Sequence, residues 1–167
     1  MKKASGFPLL RAILTVLGIV VLIPIAIALP GHRSAASEDN PSDPWTTAQT
    51  VTPSALAAEL KQAHPPAVVY VGVHTLYLGA HVPGATFHGP GSTAKGIAEL
   101  KSYAEKLPRD SELVLYCGCC PLERCPNIRP AFSTLQEMGF THLRVLILPT
   151  SFAADWVEKG YPVEKGQ

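Results

Sequence analysis

Three short, nearly all-apolar runs, at residues 67–73, 112–116 and 143–148, constrain the fold of this chain more than any other feature. A strand with one wet face alternates polar and apolar residues, and these runs do not. They are therefore expected to be strands covered on both faces, the condition of a parallel sheet between helical layers. The segments between them supply the helices. Thr52-Pro53 starts one, over 53–63, with a capping hydroxyl and a proline whose missing N–H costs nothing in a first turn. A second spans 93–107, with Ile97, Leu100, Ala104 and Leu107 at helical spacing. A third covers 130–138 and stops at Gly139, and a last short one covers 152–159. With a further short strand at 85–88, the alternation predicts a three-layer α/β domain with a central parallel sheet.

The 167 residues are enough for one such domain. Lys2, Lys3 and Arg11 precede an uncharged stretch, 12–29, rich in Ile, Leu and Val. This is the layout of a signal peptide or a transmembrane anchor, assigned to residues 1–30, and small residues at 26–28 and 34–36 leave cleavage and anchoring both open. In either case the remainder is expected outside the cytoplasm, periplasmic or otherwise extracytoplasmic, with the membrane as a partner if the segment stays uncleaved. Residues 31–50 are polar and turn-rich and are expected to form a flexible linker, leaving 51–165 as the folded domain. Lys plus Arg number 14 against 13 Asp plus Glu, with no basic stripe, so nucleic acid is not an expected partner.

All four cysteines, Cys117, Cys119, Cys120 and Cys125, lie within one loop that directly follows the apolar run 112–116. Ligands of parallel α/β sheets bind at the carboxyl ends of the strands, which is where Cys117 falls. A thiol there, ahead of a helix, sits beside unpaired backbone N–H groups that favour its thiolate.

Three pieces of the chain resemble a rhodanese-like domain. His81-Val-Pro-Gly-Ala85 is similar to the family's His-Ile-Pro-Gly-Ala element, Leu113-Val-Leu-Tyr-Cys117 to the strand that delivers its cysteine, and Trp156-Val-Glu-Lys-Gly-Tyr-Pro162 to its C-terminal helix and exit. The resemblance implies a rhodanese-like fold over most of the exported part, and a sulfurtransferase in which Cys117 carries sulfane sulfur as a persulfide. The implied partner is a small sulfur-containing donor or a protein thiol. Two departures qualify it. The family commonly has Asp-x-Arg after the strand preceding the His-Ile-Pro-Gly-Ala element, and the corresponding positions here are Tyr70 and Gly72. The loop after Cys117 is also longer than the usual tight cradle, and Pro121, Pro126 and Pro130 remove three backbone donors from it.

The loop itself supports several chemistries. Cys117 is the candidate nucleophile, with Arg124 and Arg129 as charges for a persulfide or oxyanion, and Cys119, Cys120 and Cys125 as resolving thiols. Cys117-Gly-Cys-Cys120 also reads as a C-x-x-C redox pair. No resident cofactor is expected, although four thiols so close suit a soft ion, Cu(I) before Zn. A structural disulfide in an interaction module is the remaining reading. His81 is expected to order the turn around Pro83, and His74 and His88 are at most weak candidates to approach the loop.

Overall fold

The computed structural model describes residues 43–166. The signal or anchor segment and the first part of the linker fall outside these residues. Among the described residues no helix is long and apolar enough to cross a membrane.

The apolar runs form strands of a five-stranded, wholly parallel sheet. Its strands are β1 (Thr50–Val51), β2 (Ala67–Tyr70), β3 (Thr86–Phe87), β4 (Leu113–Tyr116) and β5 (Leu143–Leu146), in the order β1-β5-β4-β2-β3. β4 is central, pairing Val114 with Val68 on one side and Leu115 with Val145 on the other. The helices are α1 (Pro53–Glu59), α2 (His74–Gly79), α3 (Ala94–Ala104) and α4 (Ile128–Glu137), and a π-helical turn occupies Ala153–Val157.

The pleat distributes the runs between two cores. Val69, Leu113, Leu115 and Val145 pack with Leu100 and Ala104 of α3 and with Ile128, Ala131, Phe132 and Leu135 of α4. Val68, Tyr70, Val114, Tyr116 and Leu146 belong to the second core, with Leu56 and Ala57 of α1, Tyr77 of α2 and Trp156. Each large side chain buried in this way contributes roughly 2 kcal/mol relative to exposure, so an uninterrupted apolar strand is worth most when both faces are covered. Thr52 caps α1, its hydroxyl accepting the Ala55 N–H at 3.3 Å, and Thr93 caps α3 by accepting the Gly96 N–H at 3.0 Å.

The structure departs from the sequence expectations in four places. The linker assigned to 31–50 ends earlier: Trp45 is buried edge-on against Phe132, Asp43 pairs with Arg129, and Thr50–Val51 is the outer strand β1. One tryptophan in a polar, turn-rich stretch gave no periodicity to read. Helix α2 was not anticipated, because Tyr77 is its only buried residue and the segment carries no apolar stripe. Helix α1 stops at Glu59, short of 63, and residues 61–65 are exposed before the strand. Helix α4 begins at Ile128 rather than at 130, since Pro130 within the first turn costs no intrahelical bond.

Candidate thiol site

The cysteine loop starts where β4 ends. Gly118 has φ +73°, and a Cβ there would lie 2.6 Å from the Cβ of Phe152. Only glycine turns the chain here, and its carbonyl accepts the Phe152 N–H at 3.0 Å. The turn folds Cys119 back over Cys117, with 3.1 Å between their sulfurs, and the Cys120 sulfur follows 3.4 Å from that of Cys119. The chain then crosses to the β5 side, Leu122 donating its N–H to Leu148 O at 3.2 Å, and the short helical turn Leu122–Arg124 brings Cys125 under the loop. The sulfurs of Cys117, Cys119 and Cys125 all lie within 4.8 Å of one another. All four thiols are free; Cys117 and Cys125 are buried, while Cys119 and Cys120 are partly exposed.

Asn127, at the N-terminal boundary of α4, completes the cluster and was not anticipated from the sequence. It is buried, with its Oδ1 accepting the Ser92 N–H at 3.1 Å. That bond turns its Nδ2 toward the sulfurs, 3.3 Å from Cys117 and 3.8 Å from Cys119. The available signal was an asparagine two residues after a cysteine, just ahead of a helix. An asparagine there ordinarily caps the helix, and this one makes no side-chain capping bond.

The thiols share their protons unequally. The Cys117 S–H directed at Cys125 is the main cause that lowers the Cys125 thiol to about 6, against the effect of burial, and the backbone N–H groups of Asn127 and Ile128 add to it. The same bond, with burial, pushes the Cys117 thiol far up. Burial, followed by the bond to Cys119, raises Cys120 to about 12. The helix N-terminus that the sequence assigned to Cys117 therefore serves Cys125.

Neither arginine reaches the sulfurs. Arg124 is exposed and makes no ion pair among the described residues. Arg129 donates to the carbonyls of Leu122 and Cys125 at 3.2 and 3.4 Å, pairs with Asp43 at 2.6 Å and lies over the Trp45 ring. It ties the cysteine loop to the segment that enters the domain.

Around the cluster, the residues that stand in place of Asp-x-Arg, Tyr70 and Gly72, have a physical role. A Cβ on Gly72 would lie 2.9 Å from the Cys117 sulfur and 2.6 Å from the Tyr70 hydroxyl, so these two positions form a tight cover over Cys117. The Tyr70 hydroxyl is buried, and the Val73 backbone N–H faces it without closing a well-formed hydrogen bond. Outside the cover, a groove of about 370 Å³ is lined by Tyr70, Leu76, Cys119, Phe152 and Val157 among others, with no charged residue. A cavity of about 10 Å³ lies on the other side, against Cys117, Cys120, Cys125, Leu122, Leu146 and Leu148.

The remaining elements hold this end of the sheet together. Tyr116 Oη accepts the Val82 N–H at 3.0 Å, fixing the His81–Ala85 turn to β4. His81 stacks on Tyr77 with its Nδ1 2.8 Å from Tyr77 O, and exchanges backbone bonds with Glu164, so it orders the turn. His74 packs on Phe87 and His88 on Tyr103.

The fold of this parallel sheet is shared with solved structures. The BH2092 protein from Bacillus halodurans is 20% identical, over 70% of this chain and 76% of that one, with a TM-score of 0.55. The Alr3790 protein from Anabaena sp. gives 20% identity over 69% and 82%, with a TM-score of 0.53. The rhodanese-like domain of that Anabaena protein, in solution, matches with 19% identity over 70% and 79% and a TM-score of 0.51. The fold is rhodanese-like. No protein-family model matches the chain, and no curated protein matches it. Within this rhodanese-like domain the cysteine follows the central strand, as the resemblance of residues 113–117 implied, and the loop after it carries three further thiols and a buried amide.

Proposed function

We propose that this rhodanese-like domain is a sulfurtransferase-type thiol protein that accepts a sulfane sulfur on Cys117 and passes it to a nucleophile or a protein thiol. The observation that carries the reading is the Cys117 sulfur at the end of β4, 3.3 Å from the buried Asn127 amide and within reach of two more thiols. In the first step the Cys117 sulfur bonds to the outer sulfur of a donor such as thiosulfate. The donor's S–S bond breaks, sulfite leaves with the electron pair, and the Cys117 proton passes to Cys125. The Asn127 N–H donors then face the new persulfide, a charge-assisted contact. In the second step an acceptor such as cyanide takes the terminal sulfur and the Cys117 thiolate is restored. Attack by Cys119, Cys120 or Cys125 on the inner sulfur is the alternative outcome, releasing hydrosulfide and leaving a disulfide. In this reading Arg129 positions the loop and Arg124 remains a solvated charge. The reading includes an extracytoplasmic location, on the strength of Lys2, Lys3 and Arg11 ahead of the apolar stretch 12–29.

The test is thiocyanate formation from thiosulfate and cyanide by the reduced full-length protein, with the mass of the protein read after donor alone. The expected result is thiocyanate production and one added sulfur atom, both lost in Cys117→Ser. Undiminished turnover in that variant, or no sulfur uptake from thiosulfate or from a small persulfide, would overturn the proposal.

A further inference from the structure

Beyond sulfur transfer, we infer that the same cluster is a binding site for one Cu(I) ion, held by the sulfurs of Cys117, Cys119 and Cys125, with Cys120 not a ligand. Three thiolates at about 2.3 Å around an ion in a trigonal plane stand about 4 Å apart. The sulfurs of Cys117 and Cys119 are 3.1 Å apart and all three are within 4.8 Å, so a small opening of one pair completes the triangle. The Cys-Gly-Cys turn at Gly118 is already curled to bring its two thiols to one side.

Three surroundings select the ion. The adjoining cavity of about 10 Å³, walled by Leu122, Leu146 and Leu148 and by Cys117, Cys120 and Cys125 but not Cys119, has room for a single atom and none for a hydration shell beside the trio. Hard cations that keep bound water are thereby disfavoured. Soft thiolate sites favour Cu(I), which accepts three ligands, whereas zinc takes four and would have to recruit Cys120, whose sulfur neighbours those of Cys119 and Cys125 but does not join the group of three that lie within 4.8 Å of one another. The charge of a three-thiolate complex also needs donors. Asn127 Nδ2 faces the sulfurs of Cys117 and Cys119, and the backbone N–H groups of Asn127 and Ile128 face Cys125. The partly exposed Cys119, at the floor of the apolar groove, gives the ion its route inward.

Binding involves no electron transfer: Cu(I) displaces the thiol protons, which go to solvent. Because Cys117 is a ligand, the loaded protein does not accept sulfur until the ion leaves.

The experiment is anaerobic titration of the reduced, metal-free full-length protein with Cu(I) against a Cu(I) chelator, together with X-ray absorption of the loaded wild type. One equivalent is expected, with three sulfur scatterers and no nitrogen or oxygen. Cys120→Ser should retain the site, whereas Cys117→Ser, Cys119→Ser and Cys125→Ser should each weaken it at least tenfold with unchanged far-ultraviolet circular dichroism. Asn127→Ala should keep the stoichiometry and lose about tenfold in affinity. No uptake, a four-sulfur shell, or loss of binding in Cys120→Ser would overturn the inference; the wild-type absorption result stands even if a variant fails to fold. Thiocyanate formation by the metal-free protein, measured alongside, keeps the fate of the sulfur-transfer reading separate.

Discussion

Asn127 and Cys117 are joined across the start of α4 by an amide-to-sulfur hydrogen bond of 3.3 Å, and the orientation of that amide is fixed from its other end by the Ser92 N–H. The same side chain thus reads the backbone on one side and the chemistry on the other. Asn127→Asp keeps an oxygen for Ser92 and removes the donor from the sulfurs. A hydrogen bond to a charged group contributes about 1.5–3 kcal/mol, so sulfur transfer should fall roughly 10- to 100-fold while the protein stays folded. Single-turnover persulfide formation by mass spectrometry checks this, and an unchanged rate would remove Asn127 from the mechanism.

Gly72 and Tyr70 form the cover over Cys117, and the cover is tight enough to be tested by a single methyl. Gly72→Ala sets a Cβ 2.6 Å from the Tyr70 hydroxyl and 2.9 Å from the Cys117 sulfur, which costs about 1–3 kcal/mol as overpacking. Tyr70→Phe removes a buried hydroxyl whose one backbone contact, with the Val73 N–H, is poorly formed, and should change stability by less than about 1 kcal/mol. The double variant should recover only a small part of the loss, because the ring carbon that carried the hydroxyl stays 2.7 Å from the new Cβ. Urea unfolding of all four proteins measures the coupling, and strict additivity would show that the cover is looser than described.

The sheet was legible because its signal is collective. A run such as 113–116 has no polar position to expose, so both faces must be covered, whatever the neighbours are. The position of Cys117 followed from that strand alone. The rest of the site was not legible because it depends on contacts distant in sequence. Asn127 is committed to sulfur by a bond to Ser92, 35 residues away, and without that bond it reads as an ordinary helix cap. Arg129 read as a charge for the reaction, yet the folding back of Asp43 and Trp45, in a segment without periodicity, turns it toward the loop carbonyls. The assignment of the helix N-terminus to Cys125 needed the turn at Gly118 and the short helical turn after it, which no local pattern announces.

Because Arg129 joins Asp43 to the carbonyls of Leu122 and Cys125, the segment before β1 should stabilise the cysteine loop. Asp43→Asn is expected to cost about 1 kcal/mol, the scale of a single partly exposed pair, and Arg129→Gln more, since it also releases two carbonyls and the contact with Trp45. The double variant should cost little more than Arg129→Gln alone. Hydrogen exchange should show faster opening of residues 121–126 in both single variants and no change in α1. Protection of the loop that is indifferent to Asp43 would mean that the pair stabilises only the incoming segment.

At the opposite end of the sheet lies an ion pair whose contribution to stability depends on pH. Arg144 on β5 donates to both carboxylate oxygens of Glu59 at 2.9 and 2.7 Å, and this paired contact is the chief cause holding the Glu59 carboxyl below its ordinary value of 4.5. The unfolded chain therefore binds the proton more readily than the folded one. The pair's contribution is fully present above pH 4.5 and is lost as the pH falls from there through the lower folded value. Urea midpoints measured from pH 7 down to pH 3 should decline across that window in the wild type. In Glu59→Gln the stability at pH 7 should be lower, and the decline shallower, because the carboxyl that titrates is gone. Slopes that superimpose for the two proteins would show that other carboxylates, and not this pair, govern the acid limb.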